Sequence, residues 1–242
     1  MHHDNDTSSG SDMNNLACIK NALYINLESR KDRRAHVEAQ LAALKTGGVT
    51  NLVAERFNAI QHLVHGAIGC SMSHMRCIQI AKERGWDHVL VCEDDVLFTN
   101  VPLFLTQLEK VMATVPDWDV LLLAGNNIPP FRVVNDACVQ VVNCQTTTAY
   151  MVRAHYYDTL IDNYRAGINK LMRNPMNKLN YAIDRYWFEL QRRGRWLLIT
   201  PLTVVQREDY SDIEQRFTNY AHLMLDLDKQ QLIQSHAMQF KK

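Results

Sequence analysis

From residue 22 to residue 124, short apolar runs rich in Val, Leu and Ile alternate with stretches whose apolar positions recur every three or four residues. That alternation restricts the chain to an α/β fold, in which helices cover both faces of a sheet and the strands read as unbroken apolar runs. Ala22-Leu-Tyr-Ile25, Glu55 to Ala59, His88 to Cys92 and Asp119 to Ala124 are the expected strands. Between them, Ser29 with Asp32 three residues on reads as a cap for a helix reaching about Lys45, with Val37, Leu41 and Leu44 on one face. Gly66 to Arg84, stopped by Gly85, and Val101 to Val115 are the next helices. The second half is more mixed. Val139 to Val142, Thr146 to Val152 and Trp196 to Val205 read as strands, and Ala154 to Tyr164, Leu179 to Arg193 and Glu214 to Ser235 as helices. The expected organisation is a polar tail over 1–16, one domain over 17–214, and a C-terminal helical segment over 215–242.

Composition removes several classes of function. Lys plus Arg and Asp plus Glu both total 26, so bulk electrostatic binding to nucleic acid is not expected. No apolar stretch approaches the roughly 20 residues of a membrane-spanning helix, and the first fifteen residues lack the apolar segment of a signal peptide. The six cysteines form no CxxC pair, which points to a reducing compartment and a cytoplasmic location, free or peripheral to a membrane. GxGxxG, GxxxxGK[ST] and HExxH are absent, and Gly69-Cys-Ser-Met-Ser73 ends in Ser where a nucleophile elbow needs Gly.

Four segments carry chemistry. Glu93-Asp94-Asp95 follows directly on an apolar strand, and in an extended chain Glu93 and Asp95 share a face while Asp94 points elsewhere. Two like charges about 5 Å apart repel by roughly 3 kcal/mol at an effective dielectric near 20, so a cation should offset them. Oxygen donors at a strand end suit Mg²⁺ or Mn²⁺; a solvated acidic turn is the alternative. Arg30-Lys-Asp-Arg-Arg34 places four cations at a helix start, against the helix dipole, as expected where a diphosphate sits or where a helix face is simply solvated. In Gly66-Ala-Ile-Gly-Cys-Ser-Met-Ser-His74 the two glycines allow a close backbone approach to a ligand. His74 reads better as a hydrogen-bonding histidine than as a zinc ligand with Cys70 and Cys77. Asp184, within Tyr181-Ala-Ile-Asp-Arg-Tyr-Trp187, is a carboxylate among aromatics. It suits a general base beside a sugar platform of Tyr186 and Trp187, or else an ordinary surface position.

Taken together the segments resemble glycosyltransferase family 25, which contains lipooligosaccharide and collagen galactosyltransferases. The matching pieces, in family order, are Tyr24 to Arg34, Arg56-Phe-Asn-Ala59, Gly66 to His74, Val89 to Val96, Thr148 to Val152, and Pro201 to Gln206 with Ser211 to Ile213. The resemblance implies a GT-A-like, Rossmann-type nucleotide-sugar-binding fold with a mixed sheet, and a hexosyltransferase that inverts the anomeric carbon. It implies a donor that is usually a UDP-sugar, a divalent metal, and a glycan, lipooligosaccharide or protein acceptor. Asp95 would bind the metal, with Glu93 beside it or on the donor ribose. Asn26, Arg30, Arg33 and Asp94 would hold the donor, and Asp184 would be the base. A non-catalytic nucleotide-sugar or glycan-binding relative is the alternative. A phosphodiesterase would need more clustered Asp and His. Oligomeric state is not legible.

Overall fold

The computed structural model describes residues 15–230 except 64 and 212. In chain order the first half contains β1 (Asn21–Asn26), α1 (Lys31–Gly47), β2 (Val53–Asn58), α2 (Gly66–Glu83), β3 (His88–Glu93), β4 (Val96–Phe98), α3 (Val101–Thr114) and β5 (Val120–Leu122). The second half contains β6 (Asn126–Asn127), β7 (Phe131–Val133), β8 (Cys138–Val141), β9 (Cys144–Gln145), β10 (Ala149–Arg153) and α4 (Tyr157–Arg173). Three short helices follow, α5 (Lys178–Tyr181), α6 (Ile183–Tyr186) and α7 (Phe188–Arg193), then β11 (Trp196–Ile199), β12 (Val204–Gln206), β13 (Asp209–Ser211), β14 (Arg216–Thr218) and α8 (Ala221–Met224).

Eight strands form one mixed sheet in the order β2-β1-β3-β10-β5-β11-β8-β7. β1 is parallel to both β2 and β3, whereas β10 runs antiparallel between β3 and β5. Period-two alternation divides the core between the two faces. Ala22, Tyr24, Leu90, Cys92 and Leu121 join Val37, Leu41 and Leu44 of α1 and Phe104 and Leu108 of α3 on one face. Leu23, Val89, Val91, Val120 and Leu122 join Cys77, Ile78 and Ala81 of α2 and Leu160 and Tyr164 of α4 on the other. The result is an α/β fold with a helical layer on each side of a mixed sheet, as the alternation demanded. Because β2 and β3 lie on opposite sides of β1, the connections leaving β1 and β3 diverge and open a crevice at their carboxyl ends.

Several local expectations are corrected. α1 begins at Lys31 behind Arg30, which makes no side-chain cap, so Ser29 is not its cap. Leu179 to Arg193 is three short helices rather than one, because Ala182 is extended at ψ 147° and stops the first of them. Trp196 to Val205 splits at Pro201, which has no N–H to extend the ladder, and β12 pairs instead with β4. In the span expected as a helix from Glu214, residues 216–218 pair with β13, and the short helix Ala221–Met224 is followed by non-helical backbone over 225–229. The buried Met224 anchors that turn in the core. Residues 231–235 of that expected helix, like the tail up to residue 14, lie outside the described residues.

Candidate active site

A cavity of about 580 Å³ opens at the carboxyl ends of β1 and β3. Asn26, Arg33, Cys70, His74, Glu93, Asp94, Asp95 and Gln206 contribute to its lining, so seven of the residues discussed from sequence face one space. The strand ends at Glu93, and Asp94 and Asp95 form the turn into β4. The turn corrects the extended picture: all three carboxylates border the cavity, and Asp94 does not point away.

Each acid has its own partners. Asp94 accepts from Asn26 Nδ2 at 2.7 Å and from Arg33 at 2.8 Å. Asp95 Oδ2 accepts from Arg33 at 3.2 Å and from Gln206 Nε2 at 2.8 Å. Gln206 is delivered by register, since it lies opposite Val96 in the β12–β4 pair. Glu93 Oε1 faces His74 Nε2 at 3.1 Å and accepts from Thr147 Oγ1 at 2.5 Å. Behind it, the His74 Nδ1 contacts the Tyr150 hydroxyl at 2.9 Å, which in turn accepts from Tyr164 at 3.2 Å. His74 is therefore the hydrogen-bonding histidine expected from sequence. Gly69 approaches protein rather than ligand: a Cβ there would lie 2.3 Å from the Ile60 carbonyl.

The electrostatics separate the acids. Burial, reinforced by the charge of Glu93, pushes Asp95 up to about 7 despite Arg33 and Gln206. Burial acts on Glu93 too, but the hydrogen bonds and charge of its neighbours, His74 first, hold it below the usual carboxylate range. Burial also raises Asp94 and Asp184, the latter further through the charge of Glu93. Asp184 Oδ2 accepts from the backbone N–H of Thr146 at 3.2 Å. Thr146 takes φ 73°, a left-handed conformation that a β-branched residue adopts only at a cost of order 1–2 kcal/mol. The Thr146–Thr147 corner thus ties Asp184 to Glu93 through consecutive residues, a link that no sequence spacing announced.

Asp209 is the other residue the sequence did not single out. Its Oδ2 meets Arg30 and Arg33 at 3.2 Å each and Arg207 at 2.5 Å; burial pushes its carboxyl up, but Arg207, the Tyr210 N–H and Arg33 hold it well below the usual range. Within the basic helix start, carboxylates therefore neutralise Arg30 and Arg33, while Lys31 and Arg34 face solvent. Trp187 is corrected outright. It is fully buried, its indole N–H donates to the Cys144 carbonyl, and it packs edge-on against Tyr150 and Trp196, so it offers no face to a sugar. Tyr186 stays partly exposed beneath Lys170, whose Nζ lies 5.0 Å from the ring centroid.

The chemistry of the acid set fits a hard dication. Asp95 Oδ1 is buried with no hydrogen-bond partner, and Glu93 keeps one oxygen beyond the one taken by His74 and Thr147. Cys70, His74 and Glu93 also bring one ligand atom each within 4.8 Å of one another. Burial and the surrounding carboxylates keep the Cys70 thiol protonated, and the ring nitrogens of His74 are already engaged, so the oxygen set is the better site.

The sequence profile of glycosyltransferase family 25 (LPS biosynthesis protein) matches residues 55–186, more than half of the chain. The chain belongs to glycosyltransferase family 25 and is a glycosyltransferase. No curated protein matches it by sequence. Among solved structures it is similar to a glycosyltransferase involved in the glycosylation of the major capsid of PBCV-1 (TM-score 0.47, 11% identity, 74% of this chain and 81% of that one). It is also similar to a mutant Drosophila β-1,4-galactosyltransferase 7 in complex with manganese, UDP-Gal and xylobiose (TM-score 0.41, 12% identity, 84% and 73%). A UDP-glucose pyrophosphorylase complexed with UDP-glucose is a third (TM-score 0.46, 10% identity, 75% and 90%).

Proposed function

We propose that this glycosyltransferase moves a hexose from a UDP-sugar to a hydroxyl of a glycan, lipooligosaccharide or protein acceptor, with inversion and with help from Mn²⁺ or Mg²⁺. One observation carries the reading: Asn26, Arg33 and the Glu93–Asp95 acids meet in one cavity at the β1/β3 crevice. Asn26 is itself held by Arg56, whose Nε donates to its side-chain Oδ1 at 3.0 Å, so the strand end is rigid where a nucleotide would approach. Asp95 and Glu93 would hold the metal, which when bound supplies positive charge against the leaving diphosphate. Arg30 and Arg33 would share that load once the donor phosphates displace Asp209 from them.

Asp184 is our choice for the base. A raised carboxyl close to the acid cluster is suited to take the acceptor hydroxyl proton as the new glycosidic bond forms. Inversion requires only one such group on the face opposite the leaving group. Tyr186 is the remaining candidate for an acceptor platform. Six free thiols and the lack, among the described residues, of any helix long and apolar enough to cross a membrane support a cytoplasmic setting.

The test is UDP release from a panel of UDP-sugars with Mn²⁺ or Mg²⁺, with and without saccharide acceptors. Release stimulated by acceptor and abolished by chelation is expected; donor binding with no release under any condition would leave only a binding protein. Asp184→Asn should lower kcat by about 10²-fold or more with donor affinity unchanged. A wild-type rate in that variant would move the base elsewhere.

A further inference from the structure

The strongest unassigned feature is a surface, the turn joining α4 to α5. From residue 163 to 183 the chain has four cations and no acid, although the whole chain is electrically neutral. Within it Met172, Met176 and Leu179 are 58%, 88% and 70% exposed. Isolated exposed apolar residues need no explanation, but three within eight residues, interleaved with cations, form a coherent patch. Arg165 is paired with Asp162 at 2.6 Å, and Lys170 lies over the Tyr181 and Tyr186 rings. The side chains of Arg173 and Lys178 make no hydrogen bond or ion pair among the described residues. A later basic stretch, Arg192 to Arg195, offers no such surface. Arg192 donates to Asn143, Arg193 pairs with Glu189 and Arg195 pairs with Asp117.

We infer that this turn docks on an anionic phospholipid surface. Met and Leu side chains would enter the acyl boundary while Arg173 and Lys178 reach the headgroups on their long stems. Charge argues against the rival occupant, a second copy of the chain, since a two-fold contact would set like-charged turns against each other. The patch also lies near the cavity mouth. The charge of Lys178 acts on Glu214, whose neighbours Ile213 and Gln215 line the cavity. The inference concerns where the protein sits and stands beside the transfer reading, whose acceptor it leaves as proposed above.

The experiment is co-sedimentation of the full chain with vesicles of phosphatidylcholine alone or mixed in equal parts with phosphatidylglycerol. Binding to the anionic vesicles is expected to exceed that to neutral ones by about tenfold or more. Two double variants, Met176→Asp with Leu179→Asp and Arg173→Glu with Lys178→Glu, should each weaken it by about tenfold or more. Both should keep wild-type UDP release on a soluble acceptor, because none of the four residues lines the cavity. Undiminished binding by either variant, equal binding to neutral vesicles, or no binding at all would overturn the inference. So would a dimer in sedimentation velocity that the same variants dissociate. Vesicle binding is read without turnover, so a failure of the transfer reading would register separately, as absent UDP release.

Discussion

Asp95→Ala is expected to lower glycosyl transfer by about 10³-fold or more, the loss of roughly 4 kcal/mol of charge stabilisation at the leaving group. The fold should survive it. Asp95 is nearly inaccessible, shares Arg33 with Asp94 and Asp209, and sits where burial and Glu93 oppose its ionisation. The sign of its contribution to stability follows from that. With its folded pKa near 7 against about 3.9 unfolded, the native state binds the extra proton between those values, so stability falls as pH rises through the window. Asp95→Asn should therefore leave Tm unchanged near pH 4 and raise it at pH 8, by the equivalent of at most about 4 kcal/mol. Mn²⁺ should raise the Tm of the wild type at pH 8 and not that of Asp95→Asn. Calorimetry at the two pH values, with and without metal, checks the stability limb, and UDP release checks the catalytic one. Retained turnover in Asp95→Ala would remove this carboxylate from the reaction.

The parts of this arrangement legible in the sequence are those set by local periodicity. A strand buried on both faces must be apolar at every position, so β1 and β3 could be read directly, and with them the placement of Glu93 at a carboxyl end. The acid triplet demanded a cation, read from the sequence as a metal; Arg33 already reaches two of its three carboxylates, Asp94 and Asp95. What could not be read depends on contacts between distant segments. Asp209 reaches Arg33 across 176 residues of chain, and Gln206 reaches Asp95 across 111. Nothing near Asp209 in the sequence distinguishes it from the adjacent Glu208. The aromatic run around Asp184 misled for the converse reason. Composition alone cannot tell which ring of a broken helix turns inward, and Trp187 turns into the core to satisfy its indole N–H on Cys144.

Arg33 is where folding and function are most tightly joined, and Arg33→Met is the substitution expected to do most damage to both. Its guanidinium uses all three nitrogens, Nη1 on Asp94, Nη2 on Asp95 and Nε on Asp209. Removing one partner of a buried ion pair typically costs about 3–5 kcal/mol, because the abandoned charges stay desolvated. A methionine keeps most of the volume, so the loss would report charge rather than packing. Asp94 and Asp95, already raised by burial, would rise further without the cation. Raised carboxyls stabilise the fold only while protonated, so the variant's deficit should be largest near pH 8 and shrink toward pH 5, as urea denaturation at the two values would show. Arg33→Lys should recover only part of the loss, because a single ammonium cannot present three donors to three separated carboxylates. Donor affinity should fall in both variants, if these donors turn from Asp209 to phosphate when substrate enters. A full-strength donor site in a destabilised Arg33→Met protein would confine the residue to a structural role.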